Sequence, residues 1–351
     1  MPALTPLRRL IAAVGLALPL AGCNTLLLNA PGDIARQQGD LIVVSTVLML
    51  IIIVPVIALT LFFAWRYRAS NKAATYKPDW DHSIQLELVI WAAPLLIIIA
   101  LGAITWISTH TLDPWRPLDR IAEGKPVPEG VEPLDVEVVA LDWKWLFVYP
   151  EQGIATVNEL AAPVDRPIRF KLTSSTVMNA FYVPALAGMI YTMPGMQTEL
   201  NAVMGTPGDY EGFSSNYSGA GFSGMRFRFH ALDPAGFDGW VDGVRAGGKL
   251  DRAAYLALEK PSEREPVRHF GSVEDGLYDA ILNRCVDPRR MCMHEMMAVD
   301  SGKGMGRTGS EGLEARQRGD LRGRKYVQSA MCGAGDAPAA GLDTSLSRLA
   351  P

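Results

Sequence analysis

Thiolate, thioether and imidazole are the groups best suited to holding a redox metal, and this sequence gathers them in one place. Cys285, Met291, Cys292, Met293, His294, Met296 and Met297 fall within one short stretch. Soft sulfur ligands select copper, so the stretch reads either as a copper site or as a polar tail with incidental sulfur. The other cysteines are Cys23 and Cys332, which leaves residues 24–284 without a thiol and without a disulfide framework. Residues 112–229 also contain no histidine. A blue or dinuclear copper site needs imidazole and thiolate converging from neighbouring loops, and this segment supplies neither. His230 follows directly, but one imidazole makes no centre alone. The serines of the same region have only His230 as a base, so nothing there points to a nucleophilic triad.

The elements that must position these groups begin with apolar runs. Of the 351 residues 49% are hydrophobic, concentrated before residue 110, and the formal charge of −4 gives no basic surface for nucleic acid. Residues 1–22 run from Arg8 and Arg9 through Leu10–Leu20 to small residues, the plan of a secretory signal peptide. Its end, Leu20-Ala21-Gly22-Cys23, resembles a bacterial lipobox, which makes Cys23 the expected lipidation site and 23–40 a periplasmic segment. A hairpin of two transmembrane helices is expected over 41–110. Its spans are 41–65 and 88–108, each uncharged and each interrupted by a proline, Pro55 and Pro94. At ~1.5 Å per residue the first would be ~37 Å long, enough for a ~30 Å hydrocarbon core, and prolines are tolerated in such spans. The joining loop carries Arg66, Arg68, Lys72 and Lys77, so by the positive-inside rule it is cytoplasmic and both flanks face outward. Glu87 then sits at the cytoplasmic mouth of the second span, where an acid either snorkels to the headgroups or has a functional role, and position alone does not decide between them.

After a Pro-rich linker (111–132), segments of β character follow at 134–141, 144–149, 168–173, 198–204 and 225–231, separated by turn residues such as Asp165-Arg166-Pro167 and Thr206-Pro207-Gly208-Asp209. That spacing predicts an all-β sandwich or barrel over 133–232. Trp143 and Trp145, two apart, are expected on one face of a strand. Residues 233–300 read as a helical extension, and 301–351, rich in Gly, Ser and Arg, as a disordered tail.

Leu141-Asp142-Trp143-Lys144-Trp145, the run Tyr149–Glu159, Val177-Met178-Asn179-Ala180-Phe181, Ile190-Tyr191, Gly195–Thr198 and Tyr217–Met225 closely resemble subunit II of bacterial cytochrome bo-type ubiquinol oxidases. The likeness covers about residues 20–285. It implies a cupredoxin-like β-sandwich in a complex that oxidises ubiquinol, reduces dioxygen to water at haems and a copper in subunit I, and pumps protons, with subunits III and IV alongside. The chain's own share would be structural, with no cofactor of its own. The resemblance also extends to copper-bearing relatives, whose ligand motif, laid on this chain, falls at Asn179, Ser214, Asn216, Ser218, Phe222 and Met225. Only the methionine survives, so these would be degenerate copper positions. Trp143 and Trp145 resemble the aromatic patch through which those relatives accept electrons, with packing the expected role where the ligands are gone. By the same resemblance Glu87 takes part in proton uptake. Two rivals remain: an electron-accepting cytochrome c oxidase subunit, which the missing ligands oppose, and a free copper-carrying lipoprotein, which two spans oppose.

Overall fold

The computed structural model describes residues 28–75 and 77–300. The expected signal peptide, Cys23 and the tail 301–351 lie outside the described residues. Helix α1 spans Asp33–Arg66 and α2 spans Ile84–Thr111, long and apolar enough to cross a membrane. Their apolar side chains face outward all round, with Leu61, Ile98 and Trp91 among the most exposed; such a surface is stable only against lipid or other apolar helices. Asp33 in the first turn of α1 and Arg66 in its last match the helix dipole. The helix begins well before the uncharged run, and its first turns are buried in the domain above. The Gly32 N–H donates to Ala185 O at 2.9 Å and the Ala35 N–H to Leu186 O at 3.3 Å. A Cβ on Gly32 would lie 2.5 Å from Leu186 O, so the contact needs glycine.

The linker folds a small hairpin, β1 (Arg120–Ala122) with β2 (Lys125–Pro126). Beyond it the chain forms the expected sandwich. One sheet contains β3 (Leu134–Leu141), β4 (Lys144–Tyr149), β5 (Ile154–Val157), β7 (Ile168–Ser174), β10 (Thr198–Ala202), β13 (Gly248–Leu250) and β14 (Arg268–Val273), ordered β10-β7-β3-β4-β5-β14-β13. The other contains β6 (Glu159–Pro163), β8 (Asn179–Tyr182), β9 (Ile190–Thr192), β11 (Gly208–Ser214) and β12 (Arg226–Leu232), ordered β6-β12-β11-β8-β9. The expected turn at 206–209 ends sooner than its sequence implies, because Gly208 and Asp209 already pair with Ala231 and His230.

Strand β4 is buried at every position. Trp145, Phe147 and Tyr149 enter the core between the sheets, while Leu146 and Val148 enter a second core on the outer face. Burying each such side chain stabilises by roughly 1.5–3 kcal/mol, so the outer face needs a cover. The C-terminal extension supplies it: α4 (Arg252–Leu258) and α5 (Leu277–Leu282) place Tyr255, Leu258, Leu277 and Ile281 against that face. Helix α3 (Pro234–Arg245) is capped by Asp233, whose carboxylate accepts the Gly236 N–H at 2.7 Å, and it sends Phe237, Val241 and Val244 into the inner core. Lys144, almost fully buried, donates to Lys260 O at 2.8 Å and Ser262 Oγ at 2.7 Å. Burial pushes its ammonium pKa down, opposed by Glu265 and Asp142.

Trp143 departs from expectation. It occupies the turn before β4 with φ +67°, so it shares no strand face with Trp145. The sulfur-rich stretch departs as well: Cys285 and Cys292 form a disulfide, which closes a short loop ahead of α6 (Met293–Asp300) and uses the two thiols that a copper site would require. By loop-closure entropy alone such a link contributes roughly 2–3 kcal/mol.

Glu137 on β3 faces the outer core, and its carboxyl is pushed up to about 7 by burial first, with Lys171 opposing and Asp279 and Asp135 adding to the rise. Folded, it holds its proton more tightly than unfolded. Its neutral form fits best below pH 4.5; stability therefore falls as pH rises through 4.5 to about 7 and levels off above. Glu137→Gln should raise the melting temperature at pH 8 by about 2–8 °C, corresponding to about 1–2 kcal/mol after discounting for partial exposure. Near pH 4 the gain should vanish. A pH-independent difference in thermal melts would contradict this assignment.

Candidate functional site

The positions singled out in sequence meet at one end of the sandwich. Strand β8 carries Asn179, the end of β11 carries Ser214, and the loop 215–221 with a 3₁₀ turn (Phe222–Gly224) leads to Met225 at the start of β12. Asn179 and Ser214 are buried. The Ser214 hydroxyl lies 3.2 Å from Asn179 Oδ1 and 3.2 Å from Asn216 O, and its backbone N–H donates to Met225 O at 3.2 Å. Asn179 Nδ2 donates to Val177 O and Asn216 Nδ2 to Met178 O, each at 3.2 Å. Asn179, Ser214, Asn216 and Met225 are thus joined by protein–protein hydrogen bonds. Phe222 instead packs edge-on against Tyr217 at 5.6 Å.

Trp143 closes this end. Its indole N–H donates to Ser218 O at 3.0 Å, and its ring lies against Gly219 and Gly221, where an added Cβ would approach to 3.1 and 2.5 Å. The Ser218 hydroxyl is buried without a hydrogen-bond partner among the described residues. Behind the loops, Phe181, opposite Ser214 in register, stacks on Phe227 at 5.5 Å, and Trp145 sits edge-on to both.

As a donor set this end offers two amides, two hydroxyls, a phenyl ring and one buried thioether. Copper is held by imidazole and thiolate, and both amides and Ser214 already hydrogen-bond within the protein, so the set does not fit a copper centre. Nothing in the sequence named Trp143 as the ring that fills this end.

The remaining expected residues lie elsewhere. Glu87 occupies the first turn of α2, with His82 Nδ1 2.6 Å from its Oε1. His230 lies between Asp209 Oδ1 (2.5 Å from Nδ1) and Glu159 Oε1 (3.3 Å from Nε2), and His269 Nε2 meets the other Glu159 oxygen at 2.5 Å. These close contacts tie β6, β12 and β14 together. They join groups far apart in sequence and could not be read from it.

Gly221→Ala should unseat the Trp143 ring, since overpacking at such a contact costs typically about 1–3 kcal/mol. Intrinsic tryptophan fluorescence should shift and the melting temperature fall. A variant with an unchanged spectrum and melt would mean that the ring does not hold this end.

The chain matches two described families. Residues 136–231 match "Cytochrome C oxidase subunit II, periplasmic domain", and residues 245–289, the outer cover of the sheet, match "COX Aromatic Rich Motif". It is 46% identical over 325 residues to "Cytochrome bo(3) ubiquinol oxidase subunit 2" of Pseudomonas putida, covering 92% of this chain and 93% of that one. Similarity to the protein of the same name from Pseudomonas aeruginosa is 49% over 269 residues, 76% of this chain and 78% of that one. "Ubiquinol oxidase subunit 2" of Acetobacter aceti is 50% identical over 267 residues, 76% of this chain and 84% of that one. With two membrane-capable helices, a cupredoxin-like sandwich and relatives matched over 78% to 93% of their length, the chain belongs to the ubiquinol oxidase subunit 2 family.

Proposed function

We propose that this chain is the non-catalytic subunit II of a proton-pumping quinol oxidase of the bacterial inner membrane. Subunit I would carry the haems and copper, subunits III and IV would complete the complex, and ubiquinol would be the electron donor. The periplasmic domain would cover the complex, and α1 and α2 would pack on subunit I. The single observation that carries this reading is the Asn179–Ser214–Asn216 group. Those residues stand at degenerate copper positions, together with Ser218, Phe222 and Met225. A chain so built passes no electrons through its own domain. In this reading the donor delivers electrons directly to subunit I.

Two further roles belong to the proposal. Glu87, with His82 against its carboxylate, serves proton uptake at the cytoplasmic face. Cys23 carries diacylglycerol as the N-terminus of the mature chain, which agrees with an outward-facing N-terminal flank.

Oxygen uptake by the complex, purified through a tag on this chain, should proceed with ubiquinol and not with reduced cytochrome c. Uptake driven by cytochrome c would overturn the reading, and a preparation without haem or uptake would favour a free carrier. In the same assay Glu87→Ala should slow turnover at least several-fold with haem content intact, and full-speed turnover would remove the proton role. An intact mass beginning at an unmodified residue would remove the anchor.

A further inference from the structure

A cavity of about 200 Å³ opens where the two helices meet the periplasmic domain. Its walls are the first turns of α1 (Asp33, Gln37), Thr111 at the end of α2, and the linker residues Asp113, Arg116 and Asp119, with Arg120 behind. Gln37 lies one turn above the uncharged run of α1 and Thr111 just beyond that of α2. Given the transmembrane reading, on which this inference rests, the cavity is level with the outer phospholipid headgroups. Trp106 and Trp115, at 70% and 51% exposure, flank the same level, where indole rings favour the interface.

The charges in the cavity are fixed by internal pairs. Asp33, almost fully buried, is neutralised by Arg120 Nε at 2.9 Å and accepts from Gln37 Nε2 at 2.7 Å. Arg116, at the more exposed rim, donates to Asp119 Oδ2 at 2.7 Å and to Thr111 O at 3.3 Å. Asp113 Oδ1 accepts the Trp115 N–H at 2.9 Å. Two guanidiniums therefore stand against three carboxylates. A purely anionic headgroup would add to a net negative lining. One that carries its own ammonium adds no net charge, and it places its phosphate toward the planar fork of Arg116 and its ammonium toward Asp113 and Asp119. The volume exceeds that of a single water, about 30 Å³ in the liquid.

We propose that this cavity binds the headgroup of an outer-leaflet phospholipid bearing a primary ammonium, of the phosphatidylethanolamine class. The bound lipid fills the angle between the helix hairpin and the domain, a place that neither the sandwich core nor the apolar helix surfaces fill.

Native mass spectrometry of the full chain released from detergent tests it, titrated separately with phosphatidylethanolamine and phosphatidylglycerol. The wild type should retain one phosphatidylethanolamine with at least about fivefold preference, and Arg116→Gln with Asp113→Asn should weaken that retention about tenfold. Both substitutions lie at the rim and spare the buried Asp33–Arg120 pair, so the melting temperature should hold. Should the double variant melt early, Asp113→Asn alone carries the comparison. Equal retention of the two lipids, or unchanged retention in a folded variant, would overturn the proposal. Displacement by free phosphoethanolamine at matched concentration would overturn it too, by identifying a soluble ligand in place of a lipid. Failure of the oxidase reading would appear in oxygen uptake and leave this measurement untouched.

Discussion

The periplasmic domain depends on burying both faces of one strand. Lys144–Tyr149 has no solvent-facing side, so its sheet cannot be the outer wall of a simple two-layer sandwich. The opposing sheet covers one face, and the other requires the segment from α4 to α5. That is the physical reason the chain continues past β12. Consecutive residues then serve three directions. Trp143 turns out to close the loop end, Lys144 reaches the extension, and Trp145 joins the aromatic core. A buried ammonium is costly unless its hydrogen bonds are satisfied, and here they fasten the extension to the sheet.

At the loop end the same economy applies to polar groups. A buried amide or hydroxyl without a partner costs about 1–3 kcal/mol, and Asn179, Ser214 and Asn216 meet that demand within the protein. Loops that in a metal protein would be held by ligands are here held by amide and hydroxyl hydrogen bonds, by the Trp143 ring on two glycines, and by a stacked Phe181–Phe227 pair. The result is a fixed loop scaffold in a chain that also carries two membrane-capable helices.

Much of this was legible in sequence, and for identifiable reasons. The spans announce themselves by long uncharged runs, and the strands at 134–141 and 144–149 by apolar continuity. Strands β8, β9 and β13 are short and partly polar, so no local pattern marks them. The left-handed backbone of Trp143 follows from the glycines it must reach, more than seventy residues away. The disulfide, the Glu159 pairs with two histidines and the Asp33–Arg120 pair are likewise products of the tertiary fold. The expectation of degenerate copper positions at 179, 214, 216, 218 and 222 came from a family resemblance alone, since no local pattern marks them.

The most direct measurement is the response of the full chain to copper. The chain would be equilibrated with Cu(I) and Cu(II), freed of excess ion, analysed for bound metal and melted. If the loop end is held by the protein's own contacts and not by a metal, the washed chain should keep well under one copper per chain, and its melting temperature should match that of chelator-treated protein. A site filled at a hundred times its dissociation constant would add about 2.7 kcal/mol. One or two coppers retained per chain, with a melting temperature raised by several degrees, would contradict the account.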